Sequence, residues 1–188
     1  MQWVVEAKEN ITQGSIVSGV DWGRGEDNPA LSIVLSNACD IEHEKLSFLI
    51  VAALVPAKET LMATKEYKSI VDSADDEYGL KDKSWKAFVN YLTNFIHNKG
   101  IGRYFFLDPS PVIDAPLLLV DFQQVLSLEV NTIEDLTNEG QLDHPHTEKM
   151  MAHFVGYTGR VPSDRVDEPK EADYIKELRG EYHKKVLS

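Results

Sequence analysis

The run Phe48-Leu49-Ile50-Val51-Ala52-Ala53-Leu54-Val55-Pro56 constrains this chain more than any other segment. It is continuously apolar, rich in Val, Leu and Ile, and closed by a proline. A stretch of that length and composition reads as a buried strand rather than as a helix. A second run, Pro29-Ala30-Leu31-Ser32-Ile33-Val34-Leu35-Ser36-Asn37, precedes it. Before that comes a strand-like start, Gly14-Ser15-Ile16-Val17, and a polar, glycine-bearing loop from Asp21 to Asn28. Residues 14 to 56 are therefore expected to supply three strands of one small curled sheet.

Helical periodicity takes over further along. Ala57 to Lys83 is polar and helix-prone, and Trp85, Phe88, Val89, Leu92, Phe95 and Ile96 then recur at helical spacing, with Asp82 or Ser84 as N-cap and Gly100 beyond the end. That spacing predicts a helix from Ser84 to Asn98, its apolar stripe laid against the sheet. Strands are expected again at residues 102–107, 117–122 and 125–130, the first parted from the second by Pro109, Pro111 and Pro116, which cannot donate to a ladder. Thr147 to Val155 reads as a helix. After a polar linker beginning at Pro162, Tyr174, Ile175, Leu178 and Tyr182 mark a weaker amphipathic helix interrupted by Gly180.

The expected fold class is mainly β with added helices (α+β). Residues 1–162 form a barrel domain with a helical insertion at about 57–100, and residues 163–188 form a linker and a C-terminal helix.

Charge restricts the partners. With 31 Asp and Glu against 19 Lys and Arg, the net charge is -12, which repels phosphate backbones at long range. Nucleic acid is not an expected partner; a protein partner or a second copy of the chain is. The single cysteine, Cys39, excludes an intramolecular disulfide and fits a reducing compartment. No leader pattern is visible, and the apolar runs fall short of the ~20 residues that span a bilayer. The expected location is the cytoplasm, without membrane contact.

Candidate chemistry clusters in two places. Cys39, Asp40 and His43 stand at a spacing that puts Cys39 and His43 on one face of a helical turn. Without a paired Cys-x-x-Cys, no metal or other cofactor is expected, and the plain reading is a buried Cys39 with Asp40 capping the turn. Trp22 and Arg24 sit together in the polar loop, where the tryptophan could plug a partner's pocket or the mouth of a barrel. The histidines near 144–153 include His146 and His153, two helical turns or about 10 Å apart, too far to share one ion; a polar capping turn is the expectation there.

The order of strand, loop, Asn28-Pro29-Ala30-Leu31 and Ile50-Val51-Ala52 resembles the opening of the MazF/PemK ribonuclease toxins over roughly residues 11 to 56. That resemblance implies an SH3-like barrel. In that family an arginine before Pro-Ala-Leu and a threonine closing the third strand assist RNA cleavage. Here Asn28 and Val55 fall at those positions, and neither a neutral amide nor a valine supplies the missing charge or hydroxyl.

Asn37-Ala38-Cys39-Asp40-Ile41, Arg103 to Leu107, Leu119 to Phe122 and His153 to Pro162 also resemble a group of uncharacterised bacterial proteins associated with phage-defence or toxin-antitoxin loci. That group implies no established reaction; the missing arginine and threonine and the acidic balance favour a non-catalytic binding or regulatory component, with Trp22, Arg24, Asn28, Asn37 and Cys39 as binding residues. The alternative is an endoribonuclease with relocated catalytic groups: Arg24 for phosphate charge, His43 for proton transfer, and Asp40 beside them.

Overall fold

Apolar runs become strands where the sequence places them. β1 (Val4–Val5), β2 (Ser15–Ser18), β3 (Leu31–Val34) and β4 (Phe48–Pro56) precede the helical region, and β5 (Tyr104–Leu107), β6 (Leu118–Glu129) and β7 (Thr137–Leu142) follow it. This computed structural model describes residues 2–72, 74, 79–99 and 102–159.

All seven strands join one sheet in the order β1-β7-β2-β3-β4-β6-β5, and every pairing is antiparallel. The sheet is curled but open, with β1 and β5 as its edges. The fold is α+β and mainly β, as the composition of the runs implies.

Among the described residues five α-helices decorate the sheet: α1 (Ala38–Glu42), α2 (Ala57–Ala63), α3 (Lys65–Val71), α4 (Asp82–Ile96) and α5 (His146–Thr158). The compact unit that holds them ends at Thr158. The linker and C-terminal helix expected beyond residue 162 lie outside the described residues.

Strand alternation distributes the apolar side chains over the two faces of the sheet. On one face Ile16, Ile33, Ala52, Leu54, Val120 and Leu142 form the main core, with Phe105 and Met150 fully enclosed. On the other, Val17, Val34, Leu49 and Val51 form a second core, closed by Trp22, Ile41 and Ile133 among others. A third cluster of Ala57, Leu61, Phe106 and Leu119 seats α2 and α4.

Gly14 ties three strands together. Its φ of +81° is open to glycine without strain; its N–H donates to Val34 O and its carbonyl accepts from Leu142 N, each at 2.9 Å.

Three sequence expectations need correction. Residues 117–122 and 125–130 are not separate strands: β6 runs from Leu118 to Glu129, because its register against β4 jumps from Asp121 to Val125 and a bulge absorbs the residues between. β7 is missing from the expected strands, since Thr137-Asn138-Glu139-Gly140-Gln141-Leu142 is polar; it is held by β1 and β2 on its two sides. Finally, α4 does not lay its whole stripe on the sheet. None of its residues is fully buried: Leu92 and Phe95 reach the third cluster, Phe88 meets Tyr67 of α3, and Trp85, Val89 and Ile96 stay exposed. An apolar stripe of that width exceeds the surface that α2, α3 and β5 offer it.

Candidate functional site

The bulge in β6 generates the most organised polar constellation of the described residues. Asp121 sits at its start, 1% exposed, with its carboxylate turned to a ring of donors. Arg103, one residue ahead of the edge strand β5, grips it with two nitrogens, Nε donating to Oδ1 at 2.6 Å and the terminal NH2 to Oδ2. Gln124 Nε2 donates to Oδ2 at 2.8 Å, and Gln123 N donates to Oδ1 at 3.0 Å. Two-pronged guanidinium binding matches the planar carboxylate. Burial works to raise the Asp121 pKa, but the bonds from Arg103, Gln124 and Gln123 outweigh it, and the carboxyl titrates below its ordinary range. The same bonds raise the Arg103 pKa.

The chain of contacts runs on to the polar loop between β2 and β3. Gln124 Oε1 accepts from the Arg24 guanidinium, which also lies over the Trp22 ring, 5.4 Å from its centroid. Arg103 likewise stacks on Tyr104 at 4.8 Å. Two arginines, each backed by an aromatic ring, therefore flank one buried carboxylate and one amide. Arg24 is the exposed member and carries the charge that Asp121 does not neutralise. Such an arrangement can present a guanidinium to an anion; among the described residues it includes no nucleophile or titrating base.

The sequence-predicted residues divide into two sets. Trp22, Arg24 and Asn28 are brought together: Asn28 Oδ1 accepts from Arg24 N at 3.0 Å, and Asn28 Nδ2 donates to Asp21. Trp22 is half-buried. It packs on its own second core and donates from Nε1 to Ser32 Oγ at 3.2 Å, because Ser32 is fully buried and needs that bond.

Asn37, Cys39, Asp40 and His43 form the other set, on and around α1. Asn37, rather than Asp40, is the N-cap, accepting from Cys39 N at 3.1 Å. Cys39 is exposed rather than buried, since the short helix turns it away from both cores. His43 closes the helix as C-cap. No described hydrogen bond or ion pair joins Arg24 to Asp40 or His43, and no group of three metal-ligating side chains occurs among the described residues.

Sequence reasoning missed Asp121, Arg103 and Gln124. Their relationship depends on the bulge, which pattern alone does not reveal. It also missed His146, placed in a capping turn by its neighbours but in fact 3% exposed. Among the described residues, no helix is long and apolar enough to cross a membrane. No known protein family matches the chain, and neither does any curated protein.

Proposed function

We propose that this protein is a non-catalytic binding component built on a MazF-like curled sheet, acting on a protein partner in a bacterial defence or toxin-antitoxin setting. The observation that supports it is a contiguous apolar patch on β4 and β6. Phe48 and Ile50 are 53% and 40% exposed, and Val125 is 41% exposed. The register pairs Ile50 with Ser127 and Ala52 with Val125, so these side chains share one face where the two strands extend past the main core. Aromatic and branched residues left open on a rigid sheet are what a protein interface uses as anchors.

The endoribonuclease reading has one observation in its favour, the exposed Arg24 beside Arg103. Against it stand the neutral Asn28, the valine at position 55, and the separation of Arg24 from His43 and Asp40 into different bonded sets.

Incubation of the purified protein with long single-stranded RNA, without added metal, separates the two. The binding reading expects intact RNA. Sequence-selective cleavage abolished by Arg24→Ala would put the nuclease in its place. Light scattering on the wild type and on Ile50→Glu then tests whether the patch joins two copies, and co-expression with the products of neighbouring genes tests it against other proteins.

A further inference from the structure

β6 outruns one of its two neighbours. β5 pairs with it only from Leu118 to Asp121, whereas β4 follows it to Glu129. Beyond the bulge, Val125-Leu126-Ser127-Leu128-Glu129 is therefore bonded to the sheet along one side alone.

The ladder fixes which groups face the open side. Ile50 turns both of its backbone groups toward β3: its N–H donates to Ser36 Oγ and its carbonyl accepts from Leu35 N, each at 2.8 Å. Ile50 and its register partner Ser127 are thus a pair with no bond between them, and Ser127 directs its own N–H and carbonyl outward. Val125 and Glu129, two positions either way, do the same. Val130 fixes the opposite parity, since its N–H donates back to Ser47 O. Among the described residues, no hydrogen bond occupies the outward groups of Val125 or Ser127.

Open strand edges are ordinarily guarded by lysine, proline or another charge. This segment has no lysine and no proline, and Glu129, at its end, is its single charge. It is also compatible with itself. In an antiparallel pairing about a two-fold axis at Ser127, Leu126 meets Leu128 of the second copy and Glu129 meets Val125, so no acid faces an acid. The net charge of -12 opposes approach at long range, but salt screens it over about 8 Å under physiological conditions.

We infer that two copies of this chain join edge to edge through β6, with residues Val125 to Glu129 of each pairing antiparallel about Ser127 into one continuous sheet. Ile50 lies beside Ser127 on one face of that sheet, so the same axis brings two patches of Phe48, Ile50 and Val125 onto a single surface. Use of the joined patches as anchors rests on the binding role proposed above; the pairing of the edges does not.

The test measures mass by sedimentation equilibrium, and amide exchange, on the full chain. A dimer with Kd below about 100 μM is expected. Ser127→Pro removes only the outward donor and leaves the ladder to β4 intact, a change that an edge tolerates. It should keep its melting transition and associate at least about tenfold more weakly. Ile50→Glu alters the sheet face and should remain dimeric. If the proline variant unfolds, exchange decides: the amides of Val125 and Ser127 should be protected in the dimer and exchange freely on dilution to monomer. The inference is overturned by a wild type still monomeric at about 100 μM, by a folded Ser127→Pro that associates as the wild type does, or by free exchange of those amides in the dimer. A wild-type monomer that captures a protein partner through Ile50 would sink the pairing and keep the binding role, whereas cleavage of RNA by an edge-paired dimer would do the reverse.

Discussion

Arg103 and Asp121 pair across the edge of the sheet, where Tyr104 of β5 faces Asp121 of β6 in register. The arginine is 38% exposed and the carboxylate 1%, so water solvates one partner of the pair and the protein must solvate the other. Arg103→Ala leaves a buried anion with only Gln123 N and Gln124 as donors, a loss expected to cost about 2 to 4 kcal/mol. Asp121→Asn removes the buried charge together with the need for its partner and should cost less. Urea denaturation of the two variants gives the order; an Asp121→Asn loss exceeding that of Arg103→Ala would contradict it.

The pH dependence of that pair has a fixed sign. The folded Asp121 pKa lies below the ordinary 3.8, so the unfolded chain binds the proton first as pH falls. Its contribution is complete above the unfolded value and lost as pH drops through the folded one. Arg103→Ala should shrink the acid-induced fall in melting temperature over that window.

His146 acts at higher pH. Its folded pKa is depressed, chiefly by burial and then by Lys149, against the opposite pull of Asp143 and Glu148. Below the ordinary value of 6.5 the unfolded chain takes up a proton that the folded chain resists, so stability is full above about 6.5 and declines below it. Melting curves from pH 8 to 5 should show a decline that His146→Gln reduces.

α4 should respond unevenly to substitution. Phe95 and Leu92 reach the third cluster while Trp85 is 54% exposed. Phe95→Ala is expected to cost about 2 kcal/mol, below the usual range for a fully buried aromatic, and Trp85→Ser to stay within about 0.5 kcal/mol. For a chain of this size the first lowers the melting temperature by roughly 4 to 8 °C. Equal shifts for both variants would mean that the helix packs by its other edge.

Gly14→Ala tests the strand junction. A Cβ there would come within 2.8 Å of Thr147 Oγ1 and 2.9 Å of Gln141 Nε2, at a φ of +81°. Strain and displacement together predict a loss of about 1 to 3 kcal/mol. A melting temperature at or above that of the wild type would refute this placement.

The central strands could be read from the chain because β3 and β4 satisfy local pattern and burial together: Leu31, Ile33, Leu49, Val51 and Leu54 leave no competing arrangement. β7 could not, because its polar residues are strand only through partners more than a hundred positions away. Asn37 shows the same division on a small scale. The turn at α1 was legible, but which of Asn37 and Asp40 capped it depended on where β3 stopped. The paired residues Arg103 and Asp121 and the buried His146 derive their roles from a bulge and from tertiary packing, and neither has a sequence period.

The place of β7 has a kinetic consequence. β2, β3 and β4 form consecutive antiparallel neighbours and can pair while later residues are still being synthesised, but Val4 meets Leu142 and Ser15 meets Gln141. The first described strand therefore waits for the last. Loop closure over that separation slows the final docking step relative to the hairpins. A nascent chain stalled before residue 137 would display the flank of β2 and all of β1 as unpaired edge, and that interval is when a chaperone has most to protect.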